Sequence, residues 1–299
     1  MSKRYNSFND YLQRKFNTKV WKVCLDAALP CPNKIGDGRG CLFCRNESFA
    51  PQYGSSLTIP EQLALGIAKA KQRGISRYIA YFQAGTNTFA PAEKLRPLFF
   101  SALEFEGVIG LSIATRPDCI RPDIIDLLKE LAQKTRLWIE IGLQSANEDI
   151  LDKIHRGHTV EDYVKAVDAL RSVDARICTH LIFGLPEETM QDVHECARLI
   201  ARVGSHEAKI HPLLILKETP VGEMYQNGLL QEIALEEYAA KVCDFLERIP
   251  PDVVIQRLTA EAPREMLLAP LWTLQKSNVL NAIEKEFAKR GSRQSALYR

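Results

Sequence analysis

Cys31-Pro-Asn-Lys-Ile-Gly-Asp-Gly-Arg-Gly-Cys41-Leu-Phe-Cys44 is the stretch from which the rest of this 299-residue chain is read. Nine residues separate the first two cysteines and two separate the last pair. Soft thiolates select iron–sulfur clusters or zinc. Gly36, Gly38 and Gly40 let the backbone turn tightly around such a centre. Two readings fit the spacing. Three thiolates leave one corner of a metal centre open, which marks a reactive site. Adding Cys24 gives Cys-x6-Cys-x9-Cys-x2-Cys, a closed zinc knot.

The loop follows a β-type run at residues 21–28, and what comes after it repeats one theme. Apolar, β-branched runs at 75–82, 108–114, 136–142, 177–183 and 208–215 read as five further strands. Between them lie amphipathic helices with identifiable starts. Thr58-x-x-Glu61 is a capping box ahead of Leu63, Ile67 and Ala70, and Thr159-x-x-Asp162 precedes Tyr163, Val167 and Leu170. Pro122 suits a first helical turn ahead of Ile124, Leu127, Leu128 and Leu131. Strands alternating with such helices predict βα units around a parallel sheet, either an incomplete six-unit barrel or an open doubly wound sheet. From residue 226 the pattern changes to a helix near 235–246, a short strand at 253–256 and a helical tail after Pro270. The expected division is a basic N-terminal segment at 1–19, a partial barrel at 20–225, and a mostly helical extension packing on it at 226–299.

Composition narrows the class. Hydrophobic residues at 46% and charged residues at 25% are those of a soluble globular protein. No apolar run is long enough to span a bilayer, and Lys3 and Arg4 are followed by polar residues rather than a signal-peptide core. Eight cysteines in such a chain predict reduced thiols and a cytoplasmic location, with clustered ones as ligands. Cys119, Cys178, Cys196 and Cys243 sit singly among apolar neighbours and read as core filler. The net charge of +2 excludes nothing, but Lys3, Arg4, Arg14, Lys15, Lys19 and Lys22 face one acid at the start, and Lys285, Lys289, Arg290, Arg293 and Arg299 crowd the end. Such termini can touch phosphates; the commoner expectation is solvated ends.

Chemistry in parallel α/β folds gathers at the carboxyl ends of strands. Those ends carry the cysteine loop, Gln83-Ala84-Gly85-Thr86-Asn87-Thr88, Thr115-Arg116-Pro117-Asp118, Gly142-Leu143-Gln144-Ser145, Phe183-Gly184-Leu185-Pro186 and Lys217-Glu218-Thr219-Pro220, with His180 and His211 on strands five and six. Gly85 would let a ligand approach the backbone. The Cys-x9-Cys-x-Phe-Cys loop, the Gly85-Thr86 turn, Ile139-Glu-Ile-Gly-Leu-Gln-Ser145 and His180-Leu-Ile-Phe-Gly-Leu-Pro186 together resemble the radical S-adenosylmethionine (SAM) superfamily over residues 20–220. The first spacing, Glu140-x-Gly-x-Gln-Ser145 and His211-Pro-Leu-Leu-Ile-Leu-Lys217-Glu-Thr-Pro220 are similar to the catalytic subunit of the Elongator complex. The whole chain, including Gln256-Arg-Leu-Thr-Ala-Glu-Ala-Pro263, resembles small bacterial radical SAM proteins of that type.

That resemblance implies an α/β partial (βα)6 barrel and an enzyme. Cys31, Cys41 and Cys44 would bind three irons of a [4Fe–4S] cluster, and SAM would take the fourth. Reductive cleavage of SAM would give a 5′-deoxyadenosyl radical that abstracts hydrogen from a substrate. Phe43 would lie near the adenine, and Gly85 and Thr86 near the methionine end of SAM. Gln144 would bind the nucleoside and Arg156 the carboxylate. His180 stands where the family's oxygen-independent coproporphyrinogen oxidase has a ribose-binding aspartate; a buried structural histidine is the rival reading. A reductant such as flavodoxin or ferredoxin is the implied partner, and no membrane. Elongator-like relatives make the wobble uridine of tRNA the leading substrate class, with remodelling of a uridine side chain favoured because 299 residues leave no length for an acetyltransferase domain. The alternatives are a radical enzyme acting on a small metabolite or a protein, and a non-catalytic cluster-binding regulator of a metabolic enzyme.

Overall fold

The computed structural model describes residues 3–35, 40–48 and 56–299. Gly36 and Gly38 of the cysteine loop lie outside the described residues. The six anticipated strands form as β1 (Val20–Leu25), β2 (Arg77–Phe82), β3 (Val108–Thr115), β4 (Arg136–Gln144), β5 (Ala175–Phe183) and β6 (Glu207–Pro212). β6 stops at Pro212, short of the expected 215. The chain then turns into a two-residue strand β7 (Ile215–Leu216), which pairs antiparallel with β9 (Leu267–Ala269). The short strand expected at 253–256 is β8 (Val254–Arg257), and it joins the main sheet beside β6. All seven strands of that sheet run parallel in the order β1-β2-β3-β4-β5-β6-β8. The sheet thus draws on both sides of the boundary expected at residue 225, and it curls into a partial barrel of the radical SAM type with helices outside.

Helix starts follow the capping chemistry. Capping boxes open α2 (Ile59–Lys71), α6 (Val160–Leu170) and α7 (Met190–Val203), built on Thr58/Glu61, Thr159/Asp162 and Thr189/Asp192. Pro122 begins α4 (Pro122–Ala132). α3 (Ala92–Ser101), α5 (Glu148–Lys153), α8 (Pro220–Gln226), α9 (Leu235–Arg248) and α10 (Lys276–Arg290) complete the set downstream of β1. Alternation along each strand separates two environments. Leu111, Ile113, Ile139, Ile141, Ile177, Leu181 and Phe183 face outward and pack with Leu63, Ile67, Leu128, Val167 and Ile200 of the helices in one continuous core. The intervening residues face the lumen.

A helix that periodicity did not announce closes the amino end of that lumen. α1 (Phe8–Phe16) is capped by Ser7 and buries Phe8 and Leu12 against Ile79, Trp138 and Val254. Phe8 meets Trp138 edge-on at 6.3 Å. Just above, Trp138 Nε1 and Arg176 Nε both donate to Glu207. The basic residues at the two ends are exposed as expected, at Lys3, Arg4, Arg14, Lys15, Lys19, Lys285, Lys289, Arg293 and Arg299, with Lys22 and Arg290 as the exceptions. Lys22 turns inward, donating to Gln256 Oε1 across the two edges of the sheet and lying over the rings of Phe8 and Tyr81. Arg290 is committed to Asp244, Glu247 and Glu286. The tail is tied down through Gln294, which accepts from Asn6 N and donates to the carbonyls of Pro250 and Val253.

Candidate functional site

The cysteine loop leaves the carboxyl end of β1, at the opposite end of the barrel from α1. Short local bonds shape it. Lys34 N donates to Cys31 O at 2.9 Å and Cys44 N to Cys41 O at 3.0 Å, making two tight turns. Leu42 is pinned on both sides, its amide to Ile154 O and its carbonyl to Val221 N. Asn33 Nδ2 donates to Cys41 Sγ at 3.3 Å, and Arg156 Nη1 donates to the same sulfur at 3.4 Å. Both donors meet at the one sulfur. Burial pushes the Cys44 thiol up to about 11 against the pull of Lys34 and Arg156. A metal that binds there must displace a proton.

Strand ends supply the rest of the wall. Gly85 sits at φ 74°, and a Cβ there would lie 2.3 Å from Leu29 O. The space a Cβ would take is thus filled by the chain's own lead-in to Cys31, while Gly85 also lines the cavity. Asn87 locks the turn by donating to Phe82 O, Ala84 O and Ala114 O. Arg156 also donates Nη2 to Gly142 O at 2.7 Å, and the same carbonyl receives His158 Nε2 at 3.0 Å. Arg116, a residue given no role in the sequence reading, grips Asp118 through two 2.9 Å bonds while donating to the carbonyls of Arg156 and Gly157. It fixes the backbone that carries Arg156. Gln144 holds φ 79° at an irregularity in the β4–β5 register. A non-glycine residue kept there stores about 1–3 kcal/mol of strain and marks a position constrained by use.

All nine residues singled out in the sequence line one cavity: Cys31, Cys41 and Cys44, with Phe43, Gly85, Thr86, Gln144, Arg156 and His180. Cys24 is not among its lining residues. Among the described residues no three His, Cys, Asp or Glu converge tightly enough to hold a single metal ion. The polar groups fit a polar ligand. Gln144 Oε1, Arg156 Nε and His180 Nε2 are buried and have no hydrogen-bond partner within the protein. Buried polar atoms are nearly always paired, so three orphans on one cavity wall match what a bound nucleoside and its carboxylate would satisfy.

Deeper in the lumen lies a set in which the sequence reading gave a role to His180 alone. Glu140 Oε1 accepts from Tyr81 OH at 2.8 Å and Lys209 Nζ at 2.6 Å, and Lys209 also donates to Tyr81 OH. Burial alone would raise the Glu140 carboxyl, but Lys209 and Lys22 outweigh it and hold it down at about 2. His180 and His211 meet edge-to-face at 4.5 Å. Burial, then Lys209, lowers His180 to about 3; burial, then His180, holds His211 well below the ordinary imidazole value. Both imidazoles are neutral at physiological pH. The signal for this set was present in β4, where Trp138, Glu140, Gly142 and Gln144 alternate with aliphatic residues.

The profile of the radical SAM superfamily matches residues 37–200, and that of the Radical_SAM C-terminal domain matches residues 206–289. The chain belongs to the radical SAM superfamily and is a radical SAM enzyme, whose cofactors are a [4Fe–4S] cluster and SAM. It is 40% identical to the uncharacterized protein YtqA of Bacillus subtilis, covering 99% of this chain and 93% of that one. It is 29% identical to the tRNA uridine(34) acetyltransferase of Methanocaldococcus jannaschii over 61% of this chain and 33% of that protein. The solved structure of the archaeal Methanocaldococcus infernus Elp3 with an N-terminal deletion superposes with a TM-score of 0.73 at 20% identity, covering 92% of this chain and 64% of that one. Among the described residues no helix is long and apolar enough to cross a membrane.

Proposed function

We propose that this enzyme modifies the side chain of a tRNA wobble uridine. The observation that carries the reading is the similarity to a tRNA uridine(34) acetyltransferase across 61% of the chain. That match spans only a third of the relative, so the proposal is confined to the radical step. When bound, the cluster and SAM supply a one-electron route to hydrogen abstraction. Cys31, Cys41 and Cys44 would hold three irons. Arg156, whose Nε is unpartnered, would hold the SAM carboxylate in a charge-assisted pairing. Gln144 and His180 would hold the nucleoside, Phe43 would flank the adenine, and Gly85 and Thr86 would line the methionine end.

RNA contact falls to the rim near the cysteine loop rather than to the N-terminal segment. Lys15 and Lys19 precede β1, a strand length of about 20 Å from the site. Lys34 and Arg257 line the cavity itself instead. The test compares modified nucleosides in bulk tRNA from cells with and without the gene. In parallel, 5′-deoxyadenosine release by reduced, cluster-loaded protein is measured with and without tRNA. One wobble-uridine derivative should shift in abundance and tRNA should stimulate release. An unchanged profile without stimulation would transfer the reading to a small-metabolite or protein substrate.

A further inference from the structure

Once the cofactor residues are set aside, the cavity retains Tyr81, Glu140, Lys209 and His211, on inward positions of β2, β4 and β6. Glu140 lies two residues below Gly142 on the same strand, about 7 Å deeper in the lumen. Its hydrogen bonding is lopsided. Oε1 takes both Tyr81 and Lys209, while Oε2 is buried with no partner. Lys209 uses two of its three N–H bonds on Glu140 and Tyr81. His211 Nε2 is likewise buried and unpartnered. The floor therefore offers one strong acceptor beside an ammonium N–H and an imidazole nitrogen. A carboxylate or phosphate group has no hydrogen to give Glu140 and would face its negative charge. A neutral group that donates one hydrogen bond and accepts others satisfies all three.

We propose that this floor reads the base of the substrate uridine, Glu140 Oε2 accepting from N3–H, with Lys209 and His211 serving the ring carbonyl oxygens. The inference rests on the tRNA-uridine reading and deepens it, because N3–H is the only hydrogen-bond donor on the uracil ring of a nucleoside. Glu140 is fixed as an acceptor by its ion pair, and Tyr81 and Lys209 keep the carboxylate in one orientation.

The test uses anticodon stem–loop RNAs carrying uridine, 5-methyluridine or N3-methyluridine at the wobble position. Each is titrated against cluster- and SAM-loaded protein by fluorescence anisotropy. Uridine and 5-methyluridine should bind alike, since the added methyl leaves N3–H intact. N3-methyluridine should bind at least about tenfold more weakly, equivalent to about 1.4 kcal/mol. In Glu140→Ala, that discrimination should collapse to near unity. Equal binding of all three RNAs by the unmodified protein would overturn this inference and leave the tRNA reading standing. Failure of every RNA to bind at low salt would overturn both. The methylated RNAs need no variant, so the outcome holds even where Glu140→Ala does not fold.

Discussion

The two ends of the barrel lumen are lined from the same strands, yet they treat polar atoms differently. At the amino end Phe8, Leu12, Ile79, Trp138 and Val254 fill the space, Glu207 collects donors from Trp138, Arg176 and Gln256, and a single hydroxyl of that cluster, Tyr11 Oη, is buried without a partner. At the carboxyl end Glu140 Oε2, Gln144 Oε1, Arg156 Nε, His180 Nε2 and His211 Nε2 are buried without partners, and Gln144 is held at a strained φ. Leaving such atoms unmet costs about 1–3 kcal/mol each. A fold tolerates that where a ligand completes the network. The amino end supplies stability and the carboxyl end supplies chemistry, as in α/β barrels generally.

Substitutions at the two ends should separate these roles. The largest effect belongs to the cysteines. Protein prepared without oxygen and reconstituted should hold about four irons per chain with a broad visible charge-transfer band. Cys31→Ala, Cys41→Ala or Cys44→Ala should abolish both, while Cys24→Ala keeps them. A colourless protein with one zinc and an essential Cys24 would falsify the assignment.

Phe8→Ala removes the plug at the other end. It should lower unfolding stability by about 3–5 kcal/mol in denaturant titration, with SAM affinity unchanged below the transition. A parallel drop in SAM affinity would show that the two ends are coupled rather than divided. Acid sensitivity comes next. Because Glu140 is depressed to about 2 in the folded state, its stabilising contribution is complete above the ordinary carboxylate range and disappears as pH falls from about 4.3 toward 2. Relative to wild type, Glu140→Gln should flatten that decline by on the order of 3 kcal/mol. Identical acid profiles would remove the ion pair from the account.

Arg156→Ala should weaken SAM binding by one charge-assisted hydrogen bond, about 1.5–3 kcal/mol, measured by equilibrium dialysis. Normal binding would release Arg156 from its assigned role while leaving the cysteines untouched. Gln144→Gly carries the smallest expected change. Relief of the strained φ offsets the lost side chain, so stability should move by less than about 1 kcal/mol while SAM affinity falls. A large loss of stability would mean that the side chain serves packing rather than the ligand.

Much of this architecture was legible along the chain because it is written in short-range chemistry. The capping boxes at Thr58 and Thr159, the apolar alternation of β4 and the cysteine spacing each depend on residues within a few positions of one another. α1 was not legible. Nine mostly polar residues form a marginal helix in isolation, and what stabilises this one is Trp138, more than a hundred residues away. The expected strand at 208–215 was cut at Pro212 because β9 draws Ile215 and Leu216 into a separate pairing, and an apolar run does not name its partner. Lys22 and Arg290 counted as free charge on the page and are bound in the fold.

Residue types and their spacing by themselves determined the alternating βα class and the cysteine loop, since periodicity and ligand intervals are properties of the covalent chain, and the resemblance of its ordered motifs pointed to the family. Tertiary structure alone decided that all nine site residues share a wall, that Arg116 holds the backbone of Arg156, and that the lumen floor is Tyr81, Glu140, Lys209 and His211. The reason is physical. Whether a buried polar atom is satisfied depends on neighbours that curling of the sheet brings in from distant strands, and no local pattern records which atoms are left without one.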